Sequence, residues 1–196
     1  MTFSEIKHIL ASKTVGIAGA GGLGSNCAVA LARVGIGKLI IADFDVIVES
    51  NLNRQYFFHD QIGQKKVFAL FDNIKRINPE TIVEAHDLKL GSESIVNLFS
   101  NCDVIVEAFD LAEMKQMIIE TVLEKLPGKK LVTGMGLAGW GNNNLIKTQQ
   151  TDNLYICGDQ SLEVSDHLPP LAPRVGIVAN MQANQVLEIL LGEPIN

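Results

Sequence analysis

The sequence predicts an α/β fold with a doubly wound, mainly parallel sheet, and three observations predict it. Apolar runs of strand length alternate with stretches of helical periodicity from about residue 14 to residue 140, the pattern of successive β-α units. The stretch "GAGGLG", Gly19 to Gly24, follows a predicted strand and opens a predicted helix. That is the setting in which a Gly-x-Gly-x-x-Gly turn belongs to a Rossmann-like nucleotide-binding unit. The chain has 196 residues, 47% hydrophobic and 19% charged, which predicts one globular domain over 1–196 with a substantial core.

The elements follow in order. Phe3, Ile6, Ile9 and Leu10 recur at helical spacing and predict a short leading helix. "TVGIAGA" is a strand running into glycines, and "GLGSNCAVALARVGI" a helix stopped at Gly35. "KLIIADFD" is the second strand. After a polar loop, "QKKVFALFDNIKRIN" is a helix ended by Asn78-Pro79. "TIVEAHDLKL" is a strand, "SESIVNLFSN" a helix with a serine cap, and "DVIVEAF" a strand. "AEMKQMIIETVLEKL" is a helix closed by Pro127-Gly128, and "KKLVTGMGLAGW" a strand entering glycines. The pattern then changes. "NNNLIKTQQ" and "NLYICG" predict a C-terminal antiparallel extension, residues 158–172 a proline-containing loop, and "PRVGIVANMQANQVLEILLG" one long final helix.

Formal net charge is -6, which argues against a general nucleic-acid footprint. The three cysteines, Cys27, Cys102 and Cys157, form no CxxC pair. No structural zinc is therefore expected, and scattered thiols fit a reducing compartment. No apolar run opens the chain as a signal peptide would, and none reaches the ~20 residues of a membrane helix. The expectation is a cytoplasmic protein that does not enter the membrane.

The glycine turn points to phosphate. Gly19 makes the turn, Gly21 lets backbone approach an anion, and Gly22 and Gly24 open a helix whose free N–H groups face it. A tight structural turn would use the same residues. Asp43, at the end of the second strand, stands where an acid reaches ribose hydroxyls. The stretch "SNLNRQ" then adds Asn51, Asn53 and Arg54, and Lys66 follows at a helix start. A dinucleotide's diphosphate is largely held by the turn and the helix dipole. The triphosphate of ATP calls for more cations, and an arginine fork grips phosphate oxygens in pairs. Asp110, just past the apolar strand "VIVEAF", stands either as a Mg²⁺ carboxylate beside phosphates or as the cap of the next helix.

Together "GAGGLGSN", "DFDVIVESNLNRQ", "GQKK", "RINP" and "EAFD", in this order and spacing, resemble the ThiF/MoeB/HesA group, relatives of ubiquitin-activating enzymes. The length and the ending "APRVGIVANMQANQVLEILLG" look most like the compact ThiF type of thiamine biosynthesis. The resemblance implies an adenylyltransferase using ATP and Mg²⁺. Its partner would be a small ubiquitin-like sulfur carrier, ThiS-like, whose C-terminal glycine carboxylate attacks the α-phosphate. It also implies a homodimer. Position by position, Gly22 matches the nucleotide-loop glycine and Asp43 the ribose acid. Asn51, Arg54 and Lys66 match phosphate-binding residues, and Asp110 the metal-binding aspartate.

The chain departs from that pattern in places. No arginine precedes Arg33, whereas the group commonly carries one near the N-terminus, and Lys7 or Lys13 would have to stand in. Where some members carry a transfer cysteine this chain has Ser165, and Cys157 at the loop's start reads as a packing residue. Trp140 either lines a channel for the carrier's tail or covers the sheet edge. His59, His86 and His167 show no metal spacing and are expected at the surface. Two other classes stay open on the residues alone. An NAD-dependent oxidoreductase would use the glycines and Asp43 but not Arg54, Lys66 and Asp110. A non-catalytic carrier-binding subunit would account for the missing arginine.

Overall fold

The computed structural model describes residues 1–159, 161–162 and 164–192. Seven strands form one sheet: β1 (Thr14–Ala18), β2 (Lys38–Asp43), β3 (Ile82–Asp87), β4 (Val104–Glu107), β5 (Lys130–Met135), β6 (Lys147–Thr151) and β7 (Leu154–Gly158). Their order is β3-β2-β1-β4-β5-β7-β6. Every neighbouring pair is parallel except β6 and β7, which are antiparallel. The fold is therefore the doubly wound α/β class expected, with its antiparallel extension at one edge.

Among the described residues six α-helices accompany the sheet: α1 (Phe3–Leu10), α2 (Gly22–Arg33), α3 (Lys66–Ile77), α4 (Ser92–Phe99), α5 (Ala112–Lys125) and α6 (Ala172–Leu191). Strand side chains alternate between faces, so one strand serves two cores. Val15, Ile17, Leu39, Ile41, Val104, Val106 and Val132 pack with buried residues of α1, α2, α3 and α6. Ala18, Ile40, Ala42, Ile105 and Leu131 pack on the other face with Ile95 and Phe99 of α4 and Ile118 and Val122 of α5. A methyl group at Gly16 would meet the Phe99 ring at 2.6 Å, so the bare backbone there is what admits the aromatic. Among the described residues, no helix is long and apolar enough to cross a membrane.

Two details correct the sequence reading. The expected serine cap of α4 is not one: the cap residue is Gly91, and Ser92 is already helical. Ser94 Oγ instead accepts from the Gly91 N–H at 2.8 Å, so the serine contribution comes from one turn further in. His86 is only partly exposed, and its Nε2 is enclosed without a partner, unlike the surface role expected. His59 and His167 are exposed as expected.

Candidate functional site

The strand order reverses between β1 and β4, and in such sheets ligands bind outside the carboxyl ends of the strands at that crevice. The glycine turn leaves β1 there. Gly19 has φ +101°, and a Cβ on it would stand 2.9 Å from the Ala108 carbonyl oxygen of the segment leaving β4. A Cβ on Gly24 would overlap the Gly19 carbonyl oxygen itself. The turn is thus folded so tightly that Gly19 and Gly24 admit no side chain, and the first N–H groups of α2 are left for an anion.

Asp43, the last residue of β2, faces this turn. Its Oδ2 accepts from the Ala20 N–H at 2.6 Å and its Oδ1 from the Asp45 N–H at 2.8 Å. One carboxylate therefore ties the glycine turn to the loop that follows β2. Each oxygen keeps a further lone pair for hydroxyls of a bound ribose.

The loop 49–57 is stitched to α2. Asn26 Nδ2 donates to the Gly22 carbonyl at 2.7 Å and to the Arg54 carbonyl at 2.9 Å. Ser25 Oγ donates to the Gly21 carbonyl at 2.6 Å and accepts from the Tyr56 N–H at 2.9 Å. Arg54 is held beside the turn in consequence. A Cβ on Gly22 would lie 3.6 Å from Arg54 Cγ. Ser25 and Asn26 were missed as site residues in the sequence, although the motif "GLGSN" contains both; short polar side chains in a helix's first turn were the available signal.

Asn51 is 8% exposed, and its Oδ1 accepts from the Val48 N–H at 3.1 Å. Its oxygen is spent on the local turn, so any phosphate contact falls to its amide nitrogen. Lys66 starts α3, where its Nζ lies 2.7 Å from Asp45 Oδ2. The lysine is 6% exposed while the Asp45 side chain is 49% exposed. Lys66 is thus a buried side chain paired at its tip, not a solvated one. An ammonium so placed keeps two further donors and a rim carboxylate beside it. Asp45 was a third missed residue; the "DFD" spacing puts it and Asp43 on one side of the extended chain.

The turn after β4 carries Asp110, and a buried network fixes that turn. Glu107, fully buried, accepts from the Phe109 N–H at 2.6 Å and from Lys115 Nζ at 2.8 and 3.0 Å, and also receives the Thr133 hydroxyl. Asp110 itself is exposed. It does not cap α5, whose cap residue is Leu111, so the capping alternative falls away. Among the described residues no three of His, Cys, Asp and Glu group as a metal cage. A lone exposed carboxylate at a phosphate-binding edge fits Mg²⁺, which takes one or two carboxylates and completes its shell with phosphate oxygens and water.

On the far side of the crevice, Arg174 of α6 is 2% exposed. It donates to Asp159 Oδ2 at 2.6 Å and to the Gly136 and Gly141 carbonyls at 3.0 and 2.6 Å. The Ser161 hydroxyl and N–H, with the Arg174 guanidinium, hold the Asp159 carboxyl below the usual carboxylate range. Trp140, in the loop this brace supports, is 70% exposed. Cys157 is fully buried in β7, and burial pushes its thiol up, which agrees with the packing role. Lys7 and Lys13 pair with Glu80 and Asp103. Lys13 precedes β1 and so lies at the opposite edge of the sheet from the crevice.

Comparison with known proteins agrees with this geometry. The model of the ThiF family matches residues 3–196. The adenylyltransferase and sulfurtransferase MOCS3 of Caenorhabditis briggsae is 32% identical over 92% of this chain and 46% of its own. The molybdopterin-synthase adenylyltransferase of Escherichia coli K12 is 29% identical over 95% of this chain and 76% of its own. The chain spans less than half the length of several of these curated relatives. Among solved structures, the E. coli tRNA N6-threonylcarbamoyladenosine dehydratase TcdA, in complex with ATP, has a TM-score of 0.85 at 20% identity, over 95% of this chain and 89% of that one. E. coli MccB with AMPCPP and MccA has a TM-score of 0.73 at 23% identity, over 95% and 58% of the two chains. Both share the fold. The match across nearly the whole chain settles its affiliation: the chain belongs to the ThiF family.

Proposed function

We propose that this chain is an ATP-dependent adenylyltransferase that activates the C-terminal glycine carboxylate of a small ubiquitin-like sulfur carrier. The observation that carries the reading is the presence of two cationic side chains, Arg54 and Lys66, at the β1/β4 crevice. A glycine turn with its acid, Asp43, already suits a nucleotide, yet Arg54 and the buried Lys66, paired with the exposed Asp45, are added to it. A diphosphate needs neither; a triphosphate undergoing substitution needs both. The names of the relatives, adenylyltransferases in each case quoted, support the same reaction class.

In the reaction, a carrier carboxylate oxygen bonds to the α-phosphorus as the bond to the pyrophosphate oxygen breaks. No general base is required, because a C-terminal carboxylate is ionised at pH 7. The residues act by orientation and charge. The turn from Gly19 to Gly24 takes the phosphates on backbone N–H groups, Asp43 fixes the ribose, and Asn51 adds an amide donor. Arg54 and Lys66 oppose charge growing on the phosphate oxygens. Magnesium, held by Asp110 and phosphate oxygens, would neutralise the leaving pyrophosphate.

In finer detail, the likeness of the ending "APRVGIVANMQANQVLEILLG" to the ThiF type favours a ThiS-like carrier and a role in thiamine biosynthesis. We read the working unit as a homodimer. A groove lined by Ala30 of α2, by Val34 just past its end, and by Ile177, Met181 and Leu187 of α6 offers apolar surface to a second copy. The test is ATP–pyrophosphate exchange with Mg²⁺, with and without a carrier ending in Gly-Gly. Carrier-dependent exchange that is lost in Arg54→Ala supports the reading. Absence of exchange, with no change of Tm on adding ATP, sinks it.

A further inference from the structure

Asn53 is the one residue of the 49–57 loop whose side chain touches both Arg54 and the segment that leads into the last helix. Its Oδ1 accepts from Arg54 Nη1 at 2.7 Å; the arginine's other side-chain bond, to the Ser50 carbonyl, is 3.0 Å. Its Nδ2 donates to the Pro170 carbonyl at 3.4 Å, and its own carbonyl accepts from the Ala172 N–H, the first of α6, at 3.1 Å. Pro170 in turn bridges Ala138, and the Gly139 N–H donates to the Pro169 carbonyl at 3.0 Å. A single amide thus joins the guanidinium to the 168–172 segment and, through it, to the loop that carries Trp140. Asn53 itself is exposed, so its side chain is not there to fill a core.

The chemistry of the partner matters. An amide oxygen orients an arginine fork without neutralising it. A carboxylate in the same place would compete with phosphate for the charge. We propose that Asn53 is a positioning residue: it aims Arg54 at the phosphates and makes that aim depend on the 168–172 segment. The inference rests on the adenylation reading, and a contiguous chain of hydrogen bonds is only its route; coupling is the property to measure.

The experiment is a double-mutant cycle of Asn53→Ala and Arg54→Ala. It is read by single-turnover adenylate formation with Mg²⁺ and a Gly-Gly carrier, which resolves slow variants. Asn53→Ala should slow the wild-type step about tenfold, yet slow the Arg54→Ala chain less than about twofold, because its effect passes through the arginine. Titration with ATP alone should show weaker affinity for Asn53→Ala, whose arginine is no longer aimed, and weaker still for Asn53→Asp, whose charge cancels the guanidinium. Equal losses in both backgrounds, or an Asn53→Ala rate matching wild type, overturn the inference while leaving adenylation intact. No adenylate from the wild-type chain overturns the adenylation reading and this inference with it.

Discussion

Replacing Gly24 by alanine sets two effects against each other. Gly24 lies inside α2, where alanine in place of glycine gains about 1 kcal/mol of helix propensity. The added methyl would lie well inside the 3.0 Å that real Cβ atoms keep, and the atom it strikes is the Gly19 carbonyl oxygen, which is backbone and not a flexible side-chain end. A third contact, Ala108 Cβ at 3.2 Å, blocks escape toward β4. Overpacking of this kind costs about 1–3 kcal/mol, and here the clash is with the turn itself, so about 3 kcal/mol is the fitting figure. Strain wins by about 2 kcal/mol, which for a chain of this length lowers Tm by about 4–8 °C. Gly176, in α6, is the control. A Cβ there meets nothing within 4 Å, so Gly176→Ala should gain up to about 1 kcal/mol and raise Tm by about 2–4 °C. Both are read by thermal unfolding with and without ATP, and ATP should stabilise Gly176→Ala but not Gly24→Ala. A Gly24→Ala chain as stable as wild type would refute the argument that close backbone approach, not helix formation, dictates this glycine.

Other perturbations probe the rest of the molecule. Lys115→Met leaves the buried Glu107 carboxylate without its cation and should cost about 3–5 kcal/mol by urea unfolding, far more than loss of the exposed Lys7–Glu80 pair. The Asp159 carboxyl is depressed in the folded chain, so its contribution is present above the unfolded pKa of about 3.9 and lost as pH falls through the lower folded value. Ser161→Ala, which removes the hydroxyl that lowers the carboxyl most, should therefore flatten part of the stability loss between about pH 4 and the acid limit. The thiols should resist reaction with a disulfide reagent at pH 8 until the chain unfolds, since burial pushes Cys102 up to about 12 and Cys157 upward. Fast reaction of Cys157 in the folded chain would contradict its packing role. Finally, ATP should raise Tm and NAD should not, which separates the triphosphate reading from a dinucleotide enzyme.

The fold was legible because its signals are local. Strand-length apolar runs, Gly35 past the end of α2, and Asn78-Pro79 after α3 each act within a few residues. The fourth helix's cap was misread because Ser92 and Ser94 are equivalent in sequence, and only geometry shows which hydroxyl reaches the Gly91 N–H. The candidate site residues Asp43, Lys66 and Asp110 could be named from type and position, since they end a strand, open a helix and follow a strand at one edge of the sheet, and Arg54 from the polar stretch "SNLNRQ". What could not be read were contacts across the chain. Asp45 against Lys66 spans 21 positions, Asn26 against Arg54 spans 28, and Asn53 against Pro170 spans 117. Such pairs depend on the sheet order, which the sequence constrains only through general rules of winding.

The most direct measurement follows an oxygen atom. A Gly-Gly carrier with ¹⁸O in its terminal carboxylate is incubated with the protein, ATP and Mg²⁺, the adenylate is cleaved at its carbonyl carbon, and the AMP released is examined by mass spectrometry. The account predicts one ¹⁸O in AMP and none in pyrophosphate, because the carboxylate oxygen becomes the bridge to the α-phosphorus. Unlabelled AMP, or label in the β- or γ-phosphate, would contradict carboxylate attack on the α-phosphate and with it the proposed reaction.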